Sequence, residues 1–146
     1  MSKIAGFKAY DVRGKVPSEL NNDLAYKIGR AFSKYTGAKK VVIGFDIRKS
    51  SIEISESLKS GLTDSSVDVI DIGLCGTEMI YFSTPHFDAD GGIMITASHN
   101  PPEYNGMKFV KRDSVPVGYD SGLNIVEAMI LKNDLGELSA KKGSVE

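Results

Sequence analysis

Residues 92–108 read GIMITASHNPPEYNGMK. The run Gly92-Ile93-Met94-Ile95-Thr96 is apolar and β-branched enough for a buried strand. It delivers Ser98, His99 and Asn100 in succession, and Pro101 and Pro102 then stop it. The prolines stiffen the corner, and Asn100 is pushed out of the helical region because a proline follows it. A strand that presents a hydroxyl, an imidazole and an amide on a rigid corner can be a reactive site. It can equally be a plain loop, since serine, asparagine and proline are favoured in turns and a lone histidine is usually structural or solvated. On spacing alone the plain loop is the stronger reading.

Outward from this strand, the pattern alternates. Asn21 to Tyr35 predicts an amphipathic helix, with Leu24, Ala25, Ile28, Ala31, Phe32 and Tyr35 on one stripe. Asn21 or Asn22 can cap its start and Gly37 can end it. Lys40 to Gly44 reads as a buried strand. Ser50-Ser51-Ile52-Glu53 has the spacing of a capping box, ahead of a helix carrying Ile54, Leu58 and Leu62. Val67 to Ile72 is the next strand. A helical stretch runs from Thr77 towards Pro85, which should end or distort it. Met107 to Val110 predicts a further strand, entered through a turn at Asn105-Gly106. Asp120 or Ser121 can cap a last helix bearing Leu123, Val126, Met129 and Ile130.

Alternating strands and helices predict a three-layer α/β/α domain over residues 1–138. The short turn suits an antiparallel neighbour, so the sheet should be mixed and mostly parallel. Residues 139–146, small and polar, read as a linker or frayed tail.

Composition narrows the function classes. The chain has 146 residues, 41% hydrophobic and 25% charged, with a formal net charge of -1. That length can bury a core, and the charge gives no reason to expect a nucleic-acid or membrane partner. Met1 to Phe7 lack the apolar core of a secretory leader, and no stretch approaches a membrane span. The single cysteine, Cys75, excludes an internal disulfide, reads as a small turn or core residue, and fits a cytoplasmic protein. There is no G-x-S-x-G elbow and no phosphate-cradling G-x-x-x-x-G-K-[ST] loop. Asp88-Ala89-Asp90-Gly91-Gly92 superficially looks like a cation loop, but it lacks the later ligands such a loop needs, and an acidic turn is the better account.

Three stretches together resemble the α-D-phosphohexomutase family. TASHNPPEYNGMK, residues 96–108, is similar to the family's phosphoserine signature. FKAYDVRGKVPSELN, residues 7–21, resembles its amino-terminal F-x-x-Y-D-I-R-G. VVIGFDIRKSS, residues 41–51, resembles a strand ending in G-x-D-x-R. The run from Gly76 to Pro101 looks most like the bacterial phosphomannomutase subgroup.

The resemblance implies that Ser98 is a phosphoserine that donates its phosphoryl group to a hexose phosphate and recovers one from the bisphosphate intermediate. The expected reaction interconverts mannose 6-phosphate and mannose 1-phosphate, with hexose 1,6-bisphosphate as activator. Phosphoglucomutase and phosphoglucosamine mutase are alternatives, as is a non-catalytic module that binds a sugar phosphate or a partner. Such transfer is mostly positioning and charge neutralisation. In that light Lys108 can neutralise or protonate a developing alkoxide. His99 can orient the donor or shuttle a proton. Arg13 can hold a phosphate bidentately, and Tyr10 and Asn100 can hydrogen-bond nearby. The plainer readings are a surface hairpin with an Arg13–Asp11 ion pair and a solvated Lys108. Asp46 and Arg48 can belong to the same site, or can simply pair with one another and brace a loop. Mg²⁺ is expected on the Ser98 phosphate, its other ligands coming from a D-G-D-x-D-R loop in a domain without counterpart here. The chain is therefore expected to be one domain of a larger enzyme, or a remnant, and inactive alone.

Overall fold

A computed structural model describes residues 4–146. In chain order its elements are β1 (Val12–Lys15), α1 (Asn22–Thr36), β2 (Lys40–Phe45), α2 (Ser51–Asp64), β3 (Asp68–Leu74), α3 (Thr77–His86), β4 (Gly91–Ile95), β5 (Tyr104–Lys111), β6 (Val115–Pro116) and α4 (Asn124–Leu131). The sheet order is β1-β5-β4-β2-β3, with β6 beside β5. β2 pairs in parallel with β3 and β4, whereas β5 is antiparallel to β4, β1 and β6. β5 alone therefore runs against the common direction, and the sheet is mixed as expected, with two parallel pairings and three antiparallel ones.

Side chains alternate between the faces of a strand. Val41, Ile43, Ile93, Ile95, Met107 and Phe109 face one side and pack against α1, α2 and α4. Val42, Met94 and Val110 face the other and pack with Ile80 of α3. These are the three layers. The predicted α1 stripe is the buried one: Ala25, Ile28, Ala31 and Phe32 are inaccessible, and Leu24 and Tyr35 pack against them. Asn21 caps α1 by accepting from the Leu24 amide at 2.9 Å, and Gly37 ends it with φ 64. α1 and α2 meet closely because Gly61 has no side chain. A Cβ there would stand 2.2 Å from the Tyr26 carbonyl oxygen. Among the described residues no helix is long and apolar enough to cross a membrane.

Four local expectations are corrected. Ser50 makes no capping hydrogen bond to α2; its Oγ instead accepts from Asn105 Nδ2 at 2.8 Å. Asn105 and Gly106 form no turn. Both lie inside β5, paired with Gly14 and Arg13 of β1. Gly106 is required by that close pairing, because a Cβ would meet the Val12 carbonyl oxygen at 2.2 Å. The last helix is capped by neither Asp120 nor Ser121; a wide turn over Tyr119–Leu123 leads into α4, and Ser121 Oγ accepts from the Gly118 amide. The tail is not frayed. Ser144 and Glu146 exchange backbone hydrogen bonds with Val69 and Asp71, extending the sheet beyond β3. Lys142 pairs with Asp64 at 2.8 Å.

Candidate active site

The ends of β2 and β4 lie side by side, with Phe45 opposite Ile95. Ligands collect at the carboxyl ends of parallel strands in open α/β sheets. The β4 end carries the loop of Ser98, and the β2 end carries Asp46, Ile47, Arg48 and Lys49. Between them is a depression of ≈ 490 Å³, lined by these four residues with Ser98, Asn100 and Pro102.

Ser98 is exposed and has φ 54, the left-handed region that non-glycine residues seldom enter. Holding it there costs on the order of 1–3 kcal/mol, which surrounding bonds must offset. Its amide donates to Thr96 Oγ1 at 2.9 Å, and its carbonyl accepts from Arg48 Nη2 at 2.9 Å. The loop also closes on itself, the Asn100 amide donating to Ala97 O and the Tyr104 amide to Pro101 O.

Arg48 extends well beyond its partner Asp46. Its Nη1 donates to the Pro101 and Tyr104 carbonyls, its Nη2 to those of Ser98 and Asn100, and its Nε to Asp46. Asp46 accepts from Ser51 Oγ at 2.8 Å, and Asn105 Nδ2 donates to Ser51 Oγ at 3.0 Å. A polar network thus runs beneath the loop from β2 to β5. The bracing role open to Asp46 and Arg48 is present, whereas Ser51 and Asn105, expected only in a capping box and a turn, belong to the same network. The usable signal was G-x-D-x-R at the end of a strand adjacent to β4.

Arg13 joins the loop from the opposite side. Its Nη1 donates to Asn100 Oδ1 at 2.8 Å and its Nη2 to Asp11 Oδ2 at 2.7 Å. The Asp11 pair is mostly buried, its side chains 26% and 10% exposed, so it is more than a surface ion pair. Arg13 Nε is buried without a partner. Ser98, Asn100 and Arg13 are therefore brought together. His99 is exposed in the same loop. Tyr10 is 86% exposed, ahead of β1. Lys108 stands in β5 opposite Met94, on the α3 face by strand alternation, and is half-buried. It does not line the depression beside Ser98.

Magnesium was expected on the Ser98 phosphate. Among the described residues no three His, Cys, Asp or Glu side chains are grouped to hold a metal ion. Asp46, the carboxylate lining the depression, is engaged by Arg48 and Ser51. These residues do not make a metal centre of their own. The acidic turn at Asp88 and Asp90 is structural: both carboxylates pair with Arg112, and Asp90 also accepts from the Lys39 and Lys40 amides. The Arg112 hydrogen bond holds Asp88 below the usual carboxylate range. Burial works against ionising Asp90, but the backbone amides and Arg112 outweigh it and lower its pKa.

The family described as phosphoglucomutase/phosphomannomutase, alpha/beta/alpha domain I, matches residues 5–136. A phosphomannomutase of Escherichia coli strain K12 is 47% identical over 97% of this chain and 31% of its own length. A phosphomannomutase of Klebsiella pneumoniae is 44% identical over 99% of this chain and 93% of its own. The crystal structure of a phosphoglucomutase/phosphomannomutase family protein from Burkholderia thailandensis superimposes with a TM-score of 0.85 at 34% identity, over all of this chain and 33% of that one. The chain spans about a third of the length of the Escherichia coli relative. A strand-end serine in the left-handed region, the layers that place it and these matches agree: the chain belongs to the phosphoglucomutase/phosphomannomutase family, as its α/β/α domain I.

Proposed function

We propose that this chain is the phosphoserine domain of a mutase that interconverts mannose 6-phosphate and mannose 1-phosphate. The observation that carries the reading is Ser98: a non-glycine residue in the left-handed region at the end of β4, held at its amide and its carbonyl, beside a depression of ≈ 490 Å³. Such outliers concentrate where a reactive group must be presented rigidly. The preference for mannose over glucose rests on the names of the Escherichia coli and Klebsiella relatives.

In the proposed transfer, a hydroxyl of the sugar phosphate attacks phosphorus on phosphorylated Ser98. The bond from phosphorus to Oγ breaks as the new one forms, the hydroxyl loses a proton and Oγ gains one. His99, adjacent in the loop and exposed, is placed to carry that proton. Lys108 does not line the depression, so it would neutralise charge on the alkoxide only where the sugar phosphate reaches the α3 face of β5. Arg13 would secure Asn100 rather than grip phosphate with both Nη groups, since both already have partners. Tyr10 would act only when a sugar phosphate covers this exposed rim. The hexose 1,6-bisphosphate so formed returns its other phosphate to Ser98. The setting is a cytoplasmic enzyme whose remaining domains enclose the sugar.

The test is a chimera in which this chain replaces the matching segment of the Escherichia coli relative. Incubation with hexose 1,6-bisphosphate and mapping by mass spectrometry should place phosphate on Ser98, and Ser98→Ala should lower turnover by roughly a millionfold, as removal of a nucleophile does. Phosphate on Ser50 or Ser51 instead, with Ser98→Ala fully active, would sink the reading. Residues 1–146 alone should melt cooperatively and show no mutase turnover. A phosphoserine with about two negative charges would repel an incoming sugar phosphate unless further groups neutralise it.

A further inference from the structure

We infer that Arg48 is a positioning residue for phosphoryl transfer: it holds the Ser98 loop in the one backbone conformation that presents the serine. The inference rests on the proposed role of Ser98 and adds to it. A guanidinium has five N–H donors in a fixed plane. In Arg48 every one is engaged, four by the carbonyls of Ser98, Asn100, Pro101 and Tyr104 and one by Asp46. Its side chain is 11% exposed. A guanidinium so saturated has no donor left for a phosphate, so it is not a substrate ligand. What it gathers is the backbone of a single loop, and Ser98 is the residue there that needs holding.

The anchor is itself fixed. The Asp46 amide donates to the Ile95 carbonyl at 3.0 Å, binding the end of β2 to the end of β4. Asp46 Oδ1 accepts from the Arg48 amide and from Ser51 Oγ. The guanidinium is thereby referred to both strands and to the start of α2. Lysine cannot substitute, because its three donors radiate from a point and cannot span four carbonyls in a plane.

Two measurements test this. In the chimera, Arg48→Lys and Arg48→Ala should lower kcat about a hundredfold while KM changes little, since a displacement of one ångström can cost that much. Guanidinium ion added to Arg48→Ala should recover part of kcat. In the 146-residue chain, nuclear magnetic resonance of Arg48→Lys should show the carbon shifts and amide coupling of Ser98 leaving left-handed values, while the β2 and β4 amides keep their shifts. If Arg48→Ala does not fold, Arg48→Lys carries both measurements. Wild-type kcat together with unchanged Ser98 shifts in Arg48→Lys would overturn the inference. An equal loss of kcat and of the β2 and β4 signals would also overturn it, by making Arg48 a general structural residue. The resonance measurement needs no turnover. If Ser98→Ala leaves the chimera active, the mutase reading fails, and the loop shifts still decide what Arg48 does.

Discussion

β4 has an arginine at each end, and the two behave differently. At its start Arg112, half exposed, pairs with the carboxylates of Asp88 and Asp90. At its finish Arg48, 11% exposed, binds the carbonyls of the loop. The first arrangement joins a half-exposed guanidinium to one solvated and one half-buried carboxylate near the surface, where ion pairs gain little and are screened by salt. The second joins a shielded guanidinium to main-chain atoms, so it restricts backbone angles directly. An arginine that grips backbone can hold a serine at φ 54, and one that grips carboxylates near the surface can only tidy a turn.

The sharpest way to break the comparison is through Lys108, which lies between the two ends opposite Met94. If chemistry belongs to the Ser98 end, Lys108→Ala in the chimera should lower kcat on the order of a hundredfold with little change in melting temperature. Parallel loss of both would make it a strand residue like its neighbours.

Asn105 sharpens the comparison from below. It is fully buried, donates to Ser50 and Ser51, and accepts from the Gly106 amide. Asn105→Ala should destabilise the chain by about 1–3 kcal/mol, because buried polar atoms lose their partners. A denaturant titration measures this, and no change would mean that the network under the loop contributes nothing.

A third contrast uses pH. The Lys142 hydrogen bond, and then that of Tyr26, hold Asp64 below its ordinary range. A carboxylate with a lowered folded-state pKa stabilises fully above its unfolded value of about 4, and that contribution disappears as pH falls through the folded value. Protection factors for amide exchange at Ser139 and Gly143, whose amides bond Asp64 O and Thr63 O, should therefore fall in acid before those of the central strands do. Asp64→Asn should remove most of that acid dependence. A tail that stays protected in acid in the wild type would show that its backbone pairing suffices.

The smallest effect is expected at Arg112. Arg112→Ala should leave the melting midpoint within error at moderate salt, because Asp88 is solvated and half-buried Asp90 keeps its bonds from the Lys39 and Lys40 amides. A clear drop would place the two ends of β4 on an equal footing and remove the contrast.

Much of the fold was legible locally. The α1 stripe, the Asn21 cap and the Gly37 stop follow from helical spacing and backbone preference, and the structure reproduces each. The errors share one cause. Asn105-Gly106 has the chemistry of a turn, and Ser50 to Glu53 the chemistry of a capping box, but each is claimed by a neighbour distant in sequence. Asn105 turns to Ser50 and Ser51, and Gly106 is pressed against β1. The polar tail was read as a frayed end because nothing in its composition announces that the edge of β3 is open to it.

The sequence by itself determined that strands and helices alternate, which faces are buried, and that a serine stands on a stiffened corner after a buried strand. Those properties follow from spacing within a few residues, where side-chain periodicity and proline geometry act. Only the tertiary structure decided that Arg48 saturates its donors on the loop, that Arg13 reaches Asn100, and that Lys108 does not line the depression beside Ser98. Each of those depends on which strands lie adjacent and in what register. Pairing across a sheet joins residues tens of positions apart, and no local preference encodes it.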